Sequence, residues 1–189
     1  KEERPLLVEV PQHPKLSKAQ FLKAYNDGLT VIDTRNKVDF AKGFLPNSIN
    51  IQGNNSFSTW AGWLLNYQEQ FILVAEENEM EDLTRKLMRV GLDNIYGFIE
   101  DVSAYDLELQ TADVIDMEEF KALAKKDDVQ VVDVRNTTEF KAGHVRGADH
   151  VFVGTIESNL DKISKDKQVV IHCQSGDRAA IAYSLLRKN

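Results

Sequence analysis

Cysteine occurs once in these 189 residues, at Cys173. A single thiol excludes an internal disulfide framework and a cysteine-rich zinc site, and it fits a reducing, cytoplasmic setting. Basic residues are outnumbered, 23 against 30 acidic, for a net charge of −7. That deficit speaks against non-specific binding to nucleic acid or to an anionic membrane, and any anion site must be built locally by a loop. No apolar stretch approaches the length of a bilayer span. The apolar part of the opening segment, Leu6-Leu7-Val8, is too short for a signal peptide. The chain contains no phosphate loop and no dinucleotide fingerprint. His13, His144 and His150 show no metal-ligand spacing, so no cofactor or metal is expected.

What is present is a duplication. Val31-Ile32-Asp33-Thr34-Arg35-Asn36 recurs about a hundred residues later as Val131-Val132-Asp133-Val134-Arg135-Asn136, a period suited to a repeated domain. Each copy continues into a helical stretch ending in Asp39-Phe40-Ala41-Lys42-Gly43 or Glu139-Phe140-Lys141-Ala142-Gly143. The hydrophobic fraction of 42% is that of an ordinary globular protein. The apolar patterning predicts helices over residues 16–25, 61–65, 83–88, 117–125, 156–163 and 179–187. It predicts strands over 31–33, 48–51, 71–75, 94–99, 129–134, 150–153 and 169–172, with a polar loop at 54–60. Such alternation predicts an α/β chain of two domains, each a mainly parallel sheet flanked by helices. The expected organisation is a linker or N-terminal extension at 1–15, one domain at 16–110 and a second at 111–189. The chain does not begin with Met, and the second copy ends before a counterpart of the strand at 94–99. The chain is therefore expected to be part of something longer, with its second domain cut short.

The chemistry concentrates at Val169-Val170-Ile171-His172-Cys173-Gln174-Ser175-Gly176-Asp177-Arg178. A buried strand ends in a thiol, a tight loop follows, and a helix starts. Loop amides and the positive end of the helix dipole both favour a thiolate there, which is the reactive form of cysteine. Gly176 supplies the backbone freedom that the loop needs. Arg178 can hold an oxyanion by paired donors or brace the loop. Asp177 beside it moderates the local charge. His172 reads as a packed strand histidine rather than a general base, because strand alternation points it away from Cys173. Trp60 and Trp63, three apart on a helix, read as packing residues. Asp133 and Arg135 recur as Asp33 and Arg35 in the copy without a cysteine, so the pair reads as architectural, with Arg135 pairing Glu139.

Both copies resemble the rhodanese (thiosulfate sulfurtransferase) domain. Val131-Val132-Asp133-Val134-Arg135, Glu139-Phe140 and Gly143-His144-Val145-Arg146-Gly147-Ala148 look like that family's first signature. Cys173 to Arg178 looks like its six-residue active-site loop. The resemblance implies a five-stranded parallel sheet in each domain. It also implies sulfur transfer through a Cys173 persulfide, with Gln174, Ser175, Gly176, Asp177 and Arg178 binding substrate and Asp133, Arg135 and Glu139 as a structural motif. The implied partners are a small sulfur donor such as thiosulfate or a thiol persulfide, and a thiol or cyanide acceptor.

The first copy departs from the pattern. Ala75 stands opposite Cys173, Glu76-Glu77-Asn78-Glu79 opposite the loop, and Met80 opposite Arg178. Phe44 and Asn47-Ser48 depart from the counterparts Gly143-His144 and Gly147-Ala148. The first domain is expected to be catalytically silent, with a structural or protein-contacting role. Two other readings stay open: a non-catalytic tandem module for partner binding or redox sensing, and a cysteine phosphatase or arsenate reductase. The latter enzymes carry a longer loop between cysteine and arginine, and the smaller ring of amides here suits sulfur better than phosphate. Tandem domains of this kind also resemble the C-terminal part of fusions with a metallo-β-lactamase-fold persulfide dioxygenase, so a fused or separate domain of that fold is an expected partner.

Overall fold

The computed structural model describes residues 9–188. Residues 1–8, most of the expected N-terminal extension, and Asn189 lie outside the described residues. The first copy runs α1 (Lys18–Asn26), β1 (Thr30–Asp33), α2 (Lys37–Lys42), β2 (Ser48–Asn50), α3 (Phe57–Leu64), β3 (Phe71–Val74), α4 (Met80–Met88) and β4 (Ile95–Ile99). The second runs α5 (Met117–Leu123), β5 (Val129–Asp133), α6 (Thr137–Ala142), β6 (Asp149–His150), β7 (Gln168–His172) and α7 (Asp177–Lys188). Two parallel sheets result, ordered β2-β1-β3-β4 and β6-β5-β7. Parallel pairing needs long crossovers, and these are α-helices except between β6 and β7, where the chain winds in 3₁₀ turns.

Local chemistry accounts for these elements. Ser17 caps α1 in a reciprocal capping box with Gln20, while Phe21 and Ala24 turn inward. In α4 the buried positions Met80, Leu83, Thr84 and Leu87 recur at helical spacing, giving one inward stripe. All four residues of β3 are buried, the continuous apolar run expected of a strand covered on both faces.

Four expectations are corrected. Helix α3 begins at Phe57, inside the stretch read as a polar loop, because Phe57 and Ala61 are buried one turn apart. The helix expected over 156–163 is instead a chain of 3₁₀ turns, Val153–Lys162, broken by non-helical backbone at Thr155 and Asn159. The strand expected over 150–153 is shortened to Asp149–His150. The five-stranded sheets implied by the resemblance are four strands plus a parallel bridge from Lys15 to Phe98 in the first copy. In the second copy there are three strands among the described residues, with β7 at the edge where β3 has β4 as a neighbour. Lys15, the last residue of the expected extension, makes that bridge to the edge strand β4.

The two sheets share one core. A single cluster joins Ile32, Ile49, Phe57, Leu73 and Leu87 of the first copy to Val132, Val153, Ile181 and Leu185 of the second. Helix α7, which follows the cysteine loop, packs against β2 of the other copy. The Ser184 hydroxyl there accepts the Asn50 backbone N–H at 3.1 Å. Phe152 completes the join, tilted against Trp60 at 6.2 Å and edge-on to Trp63 at 5.6 Å between ring centroids. The outer faces of the sheets carry separate clusters, a larger one around Phe21 and Ile72 and a smaller one around Leu123 and Val170.

Candidate active site

Strand β7 lies beside β5, with His172 opposite Asp133, so Cys173 emerges at the carboxyl end of the sheet. Val74 lies opposite Asp33 in the first sheet, which places Ala75 at the position of Cys173. Ligands of open α/β sheets bind at these strand ends.

Cys173 is half-buried, and its side chain packs against the shared core. The Gly176 backbone N–H donates to Cys173 Sγ at 3.1 Å. Gly176 reaches that position at φ +92°, a conformation that side chains resist. Gln174 and Ser175, at the tip of the loop, are exposed.

Arg178, in the first turn of α7, donates to both Glu139 oxygens, at 2.5 and 2.8 Å. Two parallel charge-assisted bonds fix the plane of the guanidinium. The Glu139 hydrogen bonds, the largest influence, raise the Arg178 pKa further against the opposing effect of burial. Glu139 is fixed in turn by its capping box with Asn136 at the start of α6. Arg178, its hydrogen bond to Glu139 first, outweighs burial and holds the Glu139 carboxyl below its ordinary range.

Arg135 does not pair with Glu139. Its Nε and Nη2 donate to Asp133 at 2.9 and 2.6 Å, and Nη2 also donates to the Gly143 carbonyl at 2.8 Å. Arg35 does the same to Asp33 and Gly43, at 3.0, 2.6 and 2.8 Å. In each copy the pair ties the end of the central strand to the turn after the next helix.

His172 Nε2 lies 3.8 Å from Asp133 and makes no hydrogen bond, while its ring meets Phe120 edge-on. Burial lowers its pKa, and the Asp133 charge offsets this only in part. Phe140 lies between His144 and His150, stacked at 3.8 and 4.5 Å. The ring nitrogens of both histidines meet backbone carbonyls, those of Phe140 and Arg135. Trp60 packs against the core, but Trp63 is 56% exposed.

Three residues from the first copy also reach the loop. Lys37 Nζ lies 2.6 Å from Asp177 Oδ1, and Asn54 donates to Asp177 Oδ2 at 3.3 Å. Burial pushes the Asp177 carboxyl up, but hydrogen bonds from Lys37, Gln52 and Ser175 outweigh it and leave it lowered. Sequence reasoning missed Lys37, Gln52 and Asn54, because no linear pattern relates positions more than a hundred residues apart.

The first copy shows what the same scaffold does without a cysteine. The Ala75 N–H donates to Ile99 at 2.9 Å, tying the strand end to β4. Met80, at the Arg178 position, is buried in the core. Asp39, at the Glu139 position, pairs with Lys42 instead. A cavity of about 810 Å³ at these strand ends is lined by Asp39, Glu76, Glu79 and Asp101 against Arg35 and Lys42. Carboxylates in excess repel an anionic ligand.

No helix of the described residues is long and apolar enough to cross a membrane. The family profile of the rhodanese-like domain matches residues 17–107 and again 116–189. The uncharacterized protein YqhL of Bacillus subtilis (strain 168) is 32% identical over 88 residues, 47% of this chain and 68% of its own. A sulfurtransferase of Allochromatium vinosum is 38% identical over 63 residues, 32% of this chain and 59% of its own length. Among solved structures, a metallo-β-lactamase from Staphylococcus aureus subsp. aureus COL aligns with 51% of this chain and 26% of its own. The identity there is 23% and the TM-score 0.43. The chain belongs to the rhodanese-like domain family, of which it carries two domains, and its relatives include a named sulfurtransferase.

Proposed function

We propose that the chain moves sulfane sulfur through a persulfide on Cys173. The observation that carries this reading is the sulfur's own surroundings. Cys173 Sγ accepts the Gly176 N–H at 3.1 Å, at the start of the helix that carries Arg178, whose orientation Glu139 fixes. A backbone N–H aimed at the sulfur can hold the charge that sulfur transfer places there, first on the Cys173 sulfur and then on the terminal sulfur of the persulfide.

The Cys173 thiolate attacks the outer sulfur of a donor such as thiosulfate or a thiol persulfide. A Cys173–sulfur bond forms, the donor's own sulfur–sulfur bond breaks, and sulfite or a thiolate leaves with the bonding pair. A thiol or cyanide acceptor then attacks the terminal sulfur and returns the Cys173 thiolate, a two-step covalent cycle. Gln174 and Ser175, exposed at the loop tip, are placed to meet the donor. Asp133 and Arg135 keep the strand end and the turn at Gly143 in register behind the loop. The first domain, with Ala75 in place of the thiol, carries no sulfur. A reducing cytoplasmic setting and a metallo-β-lactamase-fold partner, fused or separate, belong to the same reading.

The test is mass spectrometry after incubation with thiosulfate or glutathione persulfide. The expected result is a gain of one sulfur on the Cys173 peptide, removed by cyanide as thiocyanate and absent in Cys173→Ser. Equal residual turnover in the two proteins would sink the reading.

A further inference from the structure

The loop's charge balance depends on a residue of the other domain. Arg178 and Glu139 neutralise each other. Asp177 would then leave the mouth of the loop net negative, beside a sulfur that must itself be anionic to react. Its counter-charge is Lys37, at the start of α2 in the copy without a cysteine, 2.6 Å away. The Lys37 stem also covers the loop, since a Cβ added at Gly176 would lie 3.1 Å from Lys37 Cδ and Cε. Gln52 accepts the Lys37 backbone N–H at 3.0 Å and fixes the start of the helix that carries it. The second copy has Thr137 at the equivalent position, so this lysine is particular to the first. The chain as a whole has net charge −7 and supplies no general attraction for an anion.

We propose that the cysteine-free domain is a working part of the sulfur site, with Lys37 as a positioning residue that cancels Asp177 so that anionic sulfur donors can approach Cys173. The inference rests on the proposed function for the identity of the donor, but not for its test. The ion pair is about one-third exposed on each side, so its influence is screened but not abolished.

The experiment uses the full chain and four proteins: wild type, Lys37→Gln, Lys37→Arg, and Lys37→Gln combined with Asp177→Asn. Cys173 is alkylated by iodoacetate, an anion, and by iodoacetamide, its neutral analogue, and the ratio of the two rates is read. Lys37→Gln is expected to lower that ratio by about three- to tenfold, the effect of one screened charge near the sulfur. It is expected to raise KM for thiosulfate by a similar factor, with kcat within about twofold. Lys37→Arg keeps the wild-type ratio, and the double variant restores it. An unchanged ratio in Lys37→Gln overturns the proposal. So does a lowered ratio that the double variant fails to restore, because Lys37 would then act by shaping the loop rather than by charge. Alkylation needs no sulfur transfer. A protein that takes up no sulfur yet shows the charge effect would refute the proposed function and leave the role of Lys37 standing.

Discussion

Asp133 has no exposed surface, yet it stays ionised because Arg135 meets both its oxygens. Burial pushes its pKa up, but the Arg135 hydrogen bonds and charge, with a contribution from His172, hold it below the ordinary value. A depressed carboxylate contributes stability that is fully present above the unfolded pKa of about 3.9 and is lost as pH falls through the folded value. Asp133→Asn strands half of this pair, so it is expected to cost about 3 kcal/mol at neutral pH. Its stability should also fall less steeply than the wild type's on the acid side. Urea midpoints measured from about pH 6 down to pH 3 check both statements, and parallel curves for the two proteins would refute the pH assignment. Position Glu139 shows where single-residue reading stopped. Its spacing from Arg135 allows the pairing expected from sequence, but Asp133 takes that arginine and Glu139 turns to Arg178. The choice follows from where β7 ends, which no local pattern states.

Among the elements, strands β1, β3 and β5 were legible because buried parallel strands are continuous apolar runs. Strand β7 reads as an equally buried run, but at the edge of its sheet only Val170 of its five residues is buried. Helix α3 was harder to read, since Asn54 to Ser56 hide its start and its inward residues face a surface contributed partly by the second copy. The segment at Val153–Lys162 has helical composition but winds as 3₁₀ turns around Val153 and Ile156, the residues it must bury. Helix α7 serves two masters: its start closes the cysteine loop, and its body seats on β2. Ser184 is 1% exposed, accepts the Asn50 N–H and donates to the Ile181 carbonyl at 2.8 Å. Ser184→Ala leaves a buried N–H without a partner and is expected to cost about 1–3 kcal/mol. The loss should appear as a lower urea midpoint with unchanged slope. A variant as stable as the wild type would mean that α7 is not held on β2 by this bond.

At the scale of the whole molecule, the two domains are not separate bodies on a tether. The core containing Ile32 and Phe57 is the same core that contains Val132, Ile181 and Leu185. Among the described residues, the cluster on the second sheet's other face has four buried apolar members, Leu123 of α5 with Val129, Val131 and Val170. That is little to set against the conformational entropy of ordering a chain segment, about 1–2 kcal/mol per residue for the backbone alone. The protein is therefore expected to unfold in one calorimetric transition, with equal calorimetric and van't Hoff enthalpies. Two resolved transitions, one lost selectively on mutating the second copy, would show that the domains fold independently. The shared core also holds the copy without a cysteine against the loop, because α7, which follows the loop, seats on β2.

The duplication, the α/β class, the strand cores and the cysteine loop followed from sequence alone, because they depend on apolar period, turn chemistry and short-range spacing. Membership of the rhodanese-like family was legible for the same reason. Tertiary structure decided the rest: the pairing of Glu139 with Arg178, the joining of two sheets into one core, and the arrival of Lys37 at Asp177. Each of these contacts spans between 39 and 140 positions in the chain. Ion pairs and packing are set by distance in space, and the chain's linear order records that distance only once it has folded.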